Sequence, residues 1–122
     1  MIFRDRFKDK VIILTGAARG IGRATALRAA REGAVMVLAD RLKEQGEETL
    51  QLIKDAGGKG LFLPLDLSVE ENAEALVQKA VEAYGHIDIA INNAGVMGKP
   101  NPVHQLPKED MDYTFANNFY TV

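Results

Sequence analysis

The sequence predicts an α/β protein built on a doubly wound parallel sheet, with the strand order 3-2-1-4 in the part present. Apolar runs of strand length alternate along the chain with amphipathic segments of helix length, and the joints between them are short. The first apolar run, Val11–Leu14, contains only branched residues, as in a strand that is buried on both faces. Because strand–helix–strand units cross over right-handed, this alternation favours a parallel sheet with helices on both sides.

The first half of the chain is expected to hold two strands and two helices. A polar lead-in, Met1–Lys10, precedes them, and we expect its Phe3 and Phe7 to anchor it at the sheet edge. A glycine follows each of the two predicted helices, as is common where a helix ends. The predicted elements are a strand at Val11–Leu14, a helix from Ile21 to Arg31 before Gly33, a strand at Val35–Ala39, and a helix over Leu42–Ala56 before Gly57, with Leu42, Leu50 and Ile53 on its apolar side.

The second half continues the same alternation. The third strand, Gly60–Leu65, contains Pro64, which suits an edge strand because proline cannot donate to a sheet ladder. The segment Ser68–Glu71 has the pattern of a capping box and predicts the start of the third helix. The remaining predicted features are an apolar stripe at Ala73, Leu76, Val77, Ala80, Val81 and Tyr84, a stop at Gly85, a strand at Ile87–Ile91, a loop from Gly98 to Pro107, and a last helix from Pro107 with Glu109 and Asp110 in its first turn.

Composition and charge exclude several classes of protein. The chain of 122 residues, 47% apolar and 26% charged, suits one modest soluble domain. A net charge of −2 offers no basic face, so we expect neither nucleic acid nor a membrane surface as a partner. With no cysteine, and with His86 far from His104 in sequence, we expect no disulfide and no transition-metal site. Neither a signal peptide nor a membrane-spanning run is evident, so we expect the cytosol.

A glycine-rich turn between the first strand and the first helix predicts a phosphate site. The apolar run ends at Thr15-Gly16, and further glycines follow at Gly20 and Gly22 just where the helix begins. The start of a helix presents unpaired N–H groups and a partial positive charge, and glycines allow an anion to approach the backbone closely. Spaced glycines alone are a weak signal, but their position between strand and helix makes the signal much stronger.

An acidic residue at the end of the second strand extends this prediction to a dinucleotide. Asp40 follows the strand Val35–Ala39, close to the roughly 20-residue spacing from the glycines at which an acid binds the adenosine ribose. An acid after a strand is also common as a simple turn residue. The ordered series of strand, glycine turn, helix, strand and acid favours the ribose-binding role.

The candidate groups converge on one rim of the predicted sheet. In the order 3-2-1-4, the direction in which successive strands are added to the sheet reverses between strands one and four, and ligands bind outside the carboxyl ends of the strands at such a switch point. Gly16–Gly22, Asp40, Asp66 and Asn92–Gly95 all follow predicted strands. The sequence therefore predicts a single binding cleft at this edge.

These motifs resemble those of the short-chain dehydrogenase/reductase family. Thr15–Gly22 is similar to the family's T-G-x-x-x-G-x-G fingerprint, Asp66-Leu67 to its acid-plus-apolar pair after strand three, and Asn92–Gly95 to its N-N-A-G after strand four. The resemblance runs from Phe7 to Phe119, which corresponds to the amino-terminal half of a family member. It implies a Rossmann-type fold and hydride transfer between a nicotinamide cofactor and a small alcohol or ketone.

The resemblance also implies a role for each matching residue. Asp40 would bind the adenosine ribose, and its charge would repel the 2′-phosphate of NADP, which favours NAD as the cofactor. Arg19 and Arg41 argue the other way, since either side chain could reach a 2′-phosphate. The remaining implied contacts are the pyrophosphate with Gly16, Arg19, Gly20, Ile21 and Gly22, the adenine with Asp66 and Leu67, and the ribose region with Asn93, Ala94 and Gly95.

The catalytic half of the family's site is not matched by this sequence. Asn118 corresponds to the family's helix asparagine, which supports a water in a proton relay, and Asn117 is the neighbouring alternative. We expect Asn118 to stand below the rim, away from the cofactor contacts. The catalytic Ser and Tyr-x-x-x-Lys would lie beyond Val122, so we expect a fragment that ends before the fifth strand and is inactive alone.

Two functions from different classes remain open at this point. The first is an oxidoreductase that, when complete, forms a homo-dimer or homo-tetramer, as the resemblance implies. The second is a non-catalytic module that binds nucleotide or docks a partner through the same half-fold. A serine and a Tyr-x-x-x-Lys further along the chain would decide for the enzyme.

Overall fold

The structure, a computed structural model, describes residues 3–95, 103–105 and 107–118. Most of the loop expected from Gly98 to Pro107, and Phe119 to Val122, lie outside the described residues. No helix in the described part of the chain is long and apolar enough to cross a bilayer. The elements are β1 (Val11–Thr15), α1 (Gly20–Arg31), β2 (Val35–Asp40), α2 (Lys43–Asp55), β3 (Lys59–Pro64), α3 (Glu70–Tyr84), β4 (Ile89–Ile91), a 3₁₀ turn (Val103–Gln105) and α4 (Lys108–Asn118).

The four strands form one parallel sheet in the order β3-β2-β1-β4, which confirms the predicted topology. Thr15 at the end of β1 pairs with Ala39 of β2, and Leu14 pairs with Ile91 at the end of β4. This register brings the carboxyl ends of β1, β2 and β4 to one edge. Pro64 ends β3 at the outside of the sheet, as its missing N–H group requires.

Alternate residues of the central strands pack on opposite faces of the sheet, and each face is covered by helices. On one face Ile12, Leu14 and Met36 pack against α1 and α2, including Ile53. On the other face Val11, Ile13 and Val37 pack against α3. The uniformly apolar run of β1 is therefore explained by burial on both sides.

The predicted capping box at the start of α3 is wrong. Val69 occupies the N-cap position without a side-chain cap, and the Ser68 hydroxyl instead donates to Asp66 Oδ1 at 2.7 Å. The Ser68 amide donates to the same oxygen at 3.0 Å. The charge-assisted bond directs the serine hydroxyl to the Asp66 carboxylate, and Val69, which has no side-chain acceptor, stands at the N-cap position.

Three further expectations need correction. The apolar stripe of α3 is narrower than predicted, since Leu76 and Ala80 are buried whereas Val77 and Val81 are 49% and 45% exposed. The fourth strand begins at Ile89 rather than Ile87. The lead-in docks on the end of α1, where the Phe7 amide donates to the Glu32 carbonyl at 2.8 Å. Phe7 packs on the core, but Phe3 is 51% exposed beneath the Arg6 guanidinium.

Asp88 binds the first residue of β1 and makes the free energy of unfolding depend on pH in the acidic range. Its carboxylate accepts from the Val11 amide at 2.8 Å, and this bond, aided by His86 and Lys10, lowers the pKa of Asp88 from 3.8. Hydrogen bonds and nearby arginines likewise lower the pKa of Glu32. A carboxyl group whose pKa is lowered on folding stabilises the protein above its unfolded pKa, and this contribution disappears as the pH falls through the folded pKa.

We therefore expect the free energy of unfolding to decrease as the pH falls from about 5 to about 3. Asp88→Asn should lower stability at pH 7 and make the decrease shallower, because one of the carboxylates is gone. Urea denaturation of both proteins across this range measures the difference. Parallel pH profiles for the variant and the wild type would contradict the role assigned to Asp88.

Candidate functional site

A cleft of about 310 Å³ lies at the carboxyl edge of the sheet. Its walls come from the turn after β1, the ends of β2 and β3, and the segment after β4. Each predicted cofactor residue lies in it, together with Ala39, Leu42 and Leu65, which our sequence analysis did not single out. The predicted residues in its lining are Gly16, Arg19, Gly20, Ile21, Gly22, Asp40, Arg41, Asp66, Leu67, Asn93, Ala94 and Gly95.

The glycine turn needs glycine at each of the three positions, for different reasons. Gly16 and Gly20 have φ angles of 70° and 58°, in the left-handed region that side chains disfavour. At Gly22 the reason is space, because a Cβ atom there would stand 1.9 Å from the carbonyl oxygen of Gly16. The start of α1 thus rests directly on the backbone of the turn.

The amide groups of the turn divide into two sets. The Gly16 amide donates to the Ala39 carbonyl at 2.9 Å, and the Ala18 amide to Asp40 Oδ2 at 3.1 Å. Among the described residues, the structure records no acceptor for the amides of Gly20–Gly22, in the first turn of α1. A helix leaves these first N–H groups unpaired, so the anion-binding capacity of the turn lies at this end.

Asp40 lies in the cleft and also holds the turn in place. One carboxylate oxygen accepts from Ala18, and the other accepts from the Leu42 amide at 3.0 Å, at the start of α2. A carboxylate has about four acceptor sites, so these two bonds leave capacity for ligand hydroxyl groups. The simple turn role and the ribose-binding role are therefore compatible.

Asp66 provides a second carboxylate at the cleft. The bonds from the Ser68 hydroxyl and amide, and the positive charge of Arg41, lower the pKa of Asp66 from 3.8. The group is therefore an ionised acceptor at neutral pH. The Asn72 side chain also donates to the Asp66 carbonyl at 2.8 Å, which fixes the strand end to α3.

Arg41 interacts with a residue of α4 beside the cleft. Its guanidinium lies 5.3 Å from the centre of the Tyr113 ring and donates to the Tyr113 hydroxyl. Aromatic faces attract cations in this range of distance. No pattern in the sequence indicates this pair, because 72 residues separate the partners.

Thr15 joins two walls of the cleft, a role that our sequence analysis missed. Its buried hydroxyl accepts from the amides of Asn93 and Ala94, each at 3.0 Å. The Asn93 side chain donates in turn to the Gly16 carbonyl at 3.3 Å. The sequence contains one indication of this role: Thr15 ends an otherwise apolar strand, and a buried hydroxyl group needs hydrogen-bond partners.

Asn118 lies beside the segment after β4 rather than away from it. Its Oδ1 atom is 2.9 Å from the place that a Cβ atom on Gly95 would occupy. The Asn117 side chain lies outside the described residues. Asn118 is thus next to a lining residue of the cleft, which corrects the expectation that it stands clear of all cofactor contacts.

A sequence model of the short chain dehydrogenase family matches residues 10–122. The chain therefore belongs to this family, and its parallel sheet is the family's Rossmann fold.

Relatives and solved structures agree with this assignment. A 3beta-hydroxysteroid dehydrogenase of Mediterraneibacter gnavus is 43% identical over 105 residues, covering 86% of this chain and 38% of that protein. A 1,6-dihydroxycyclohexa-2,4-diene-1-carboxylate dehydrogenase of Acinetobacter baylyi is 41% identical, covering 88% of this chain and 41% of that protein. An NAD+-bound xylitol dehydrogenase superimposes with a TM-score of 0.92 at 34% identity, covering 95% of this chain and 45% of that one. The chain thus spans less than half the length of these relatives.

The contact between α1 and the turn predicts unequal effects at two glycines. Gly22→Ala should lower the free energy of unfolding by about 3 kcal/mol, because the added Cβ would collide with the carbonyl oxygen of Gly16, and this backbone oxygen cannot rotate away as a side chain could. Gly20→Ala should cost only about 1 kcal/mol, since it adds left-handed strain and no heavy atom lies within 4 Å of its Cβ. Urea denaturation measures both values, and equal losses would contradict the backbone contact.

Proposed function

We propose that this chain is the cofactor-binding half of an NAD-dependent oxidoreductase that acts on a small alcohol or ketone. One observation carries the proposal: the unpaired amides at the start of α1 and the carboxylate of Asp40 open into the same cleft. The first set suits a pyrophosphate, and the second suits ribose hydroxyl groups. Membership of the short chain dehydrogenase family supports hydride transfer as the reaction class.

Each wall of the cleft has a part in binding the dinucleotide. The amides of Gly20–Gly22 would donate to the pyrophosphate, and the absence of a Cβ atom at Gly22 keeps the helix close to the turn. Asp40 would accept from the adenosine ribose, while ionised Asp66 would accept from the adenine amino group beside Leu67. Asn93, Ala94 and Gly95 would lie beside the other ribose. The bound cofactor supplies the hydride acceptor or donor.

The preference for NAD over NADP rests on Asp40. Its carboxylate would face the adenosine 2′ position, where a phosphate dianion meets like charge in a partly desolvated site. Arg19 and Arg41 argue for NADP by charge, but we give Asp40 more weight because it stands at the end of β2, and the Arg41 guanidinium also interacts with Tyr113. The xylitol dehydrogenase that superimposes on this chain has NAD+ bound, which supports the same choice.

Proton transfer would depend on residues outside this chain, with Asn118 as a positioning residue. In the proposal, a serine and a Tyr-x-x-x-Lys beyond Val122 act on the substrate, so the 122-residue chain alone transfers no hydride. Asn118, beside Gly95, would hold a water between the solvent and the lysine. The alternative, a non-catalytic nucleotide-binding or docking module, requires that the full-length protein lacks these groups. The homo-dimer or homo-tetramer and the cytosolic location remain predictions.

The cofactor preference is tested by titrating the full-length protein with NADH and NADPH. NADH should bind roughly tenfold to a hundredfold more tightly, which corresponds to about 1–3 kcal/mol of repulsion at Asp40. Asp40→Asn should reduce the preference for NADH over NADPH, because it removes the negative charge and keeps an acceptor for the Ala18 amide. Tighter binding of NADPH to the wild type would overturn the assignment of NAD.

Replacing Asn118 by Leu in the full-length protein should lower turnover about 10²–10⁴-fold, the usual loss when a positioned proton path is removed. The Kd for NAD+ should change only slightly, because Asn118 stands beside Gly95 and is not itself a lining residue of the cleft. Asn117→Leu is the matched control, and circular dichroism verifies that both variants fold. If turnover survives in Asn118→Leu and is lost in Asn117→Leu, the positioning residue is Asn117. If it survives in both, neither asparagine serves a relay.

A further inference from the structure

We propose that Arg23 and Thr49 are positioning residues that brace the glycine turn from outside the cleft and thereby aim the Arg19 amide at the cofactor pyrophosphate. This inference rests on the proposed function. Neither residue lines the cleft. Thr49 binds the carbonyl oxygen of Ala17 and Arg23 binds that of Ala18, on the side of the turn that faces α2.

Thr49 is a fully buried polar residue in the middle of α2. Its hydroxyl lies 2.9 Å from the Ala17 carbonyl and 3.3 Å from the Ala18 carbonyl, and it accepts from Arg23 Nε at 2.9 Å. Its burial follows from close packing of α2 on the sheet, where Gly46 leaves room for the Phe62 ring. A hydroxyl with no solvent exposure is costly unless it is hydrogen-bonded, and here every recorded partner belongs to the turn, α1 or α2.

Arg23 stands in the first turn of α1, where the helix dipole disfavours a positive charge. Its guanidinium is nevertheless well partnered. Nε donates to the Ala18 carbonyl at 3.0 Å as well as to Thr49, and Nη2 donates to the Gln45 carbonyl at 3.0 Å. Nη1 lies 3.3 Å from the exposed carboxylate of Glu48. The planar guanidinium of Arg23 therefore binds the turn and α2 at the same time, and a lysine ammonium could not reproduce this set of hydrogen bonds.

Planarity of the peptide group transmits this brace to the cleft. In a trans peptide the C=O and the following N–H point in opposite directions. The peptide between Ala17 and Ala18 is held at both ends, by Thr49 at its oxygen and by Asp40 at its nitrogen. In the next peptide, Arg23 Nε holds the Ala18 oxygen toward α2, so the Arg19 N–H points away from α2. Without the brace, this carbonyl could rotate inward and repel a phosphate.

The test measures NAD+ binding to the full-length protein by calorimetry, with adenosine as a probe that lacks phosphates. Thr49→Val removes only the hydroxyl, and we expect its Kd for NAD+ to be about tenfold higher, with that for adenosine unchanged. Thr49→Ser keeps the hydroxyl and should bind NAD+ within about twofold of the wild type. Glu47→Gln is the matched control, because Glu47 is exposed on the same helix and no contact with the turn is recorded for it in the described part of the chain, and it should leave both constants unchanged.

Arg23→Lys provides a second variant should Thr49→Val fail to fold, and it should weaken NAD+ binding in the same selective way. The inference is overturned if the folded variants have a lower melting temperature but the wild-type Kd for NAD+, since the brace would then serve stability alone. Equal weakening of NAD+ and adenosine also overturns it, because the effect would not lie at the phosphates. If the wild type binds no nicotinamide nucleotide, the proposed function fails, and the inference fails with it.

Discussion

The structure depends on one close contact, that between Gly22 at the start of α1 and the carbonyl oxygen of Gly16 in the turn. A single added methyl group would stand 1.9 Å from that oxygen, so the helix lies at the distance that only glycine permits. This contact places the amides of the first helical turn, which have no recorded acceptor in residues 3–95, 103–105 and 107–118, at the carboxyl edge of the sheet. The partial positive charge at the amino terminus of α1 therefore lies at the wall of the cleft.

The turn is held from three sides, and each side belongs to a different part of the chain. The end of β2 binds the amides of Gly16 and Ala18 through the Ala39 carbonyl and Asp40. Thr15 fastens the segment after β4 to β1. Arg23 binds the carbonyl oxygen of Ala18, and Thr49 binds that of Ala17. Because the segments are far apart in sequence, the cleft forms only when the sheet and α2 are in place, which couples cofactor binding to the stability of the fold.

The sequence predicted the sheet well, because a strand buried on both faces must be apolar throughout and glycine is strongly favoured where φ is positive. Both constraints are local and visible at Val11–Leu14 and at Gly20. It predicted the hydrogen-bond partners of side chains and the exposure of helix residues poorly. Ser68 matched a capping box, but its hydroxyl donates to the carboxylate two residues upstream. The partners Arg23 and Thr49 are 26 positions apart and meet only after α1 and α2 pack together. Val77 and Val81 followed helical periodicity, yet in the described part of the chain they remain half-exposed.

The most direct test of the binding site is a crystal structure of the full-length protein with NAD+ bound. We predict that the pyrophosphate oxygens lie within about 3 Å of the amides of Gly20–Gly22, the usual hydrogen-bond distance, and that the adenosine ribose hydroxyl groups lie against Asp40. A dinucleotide bound at another edge of the sheet, or one whose pyrophosphate makes no contact with the first turn of α1, would contradict this account.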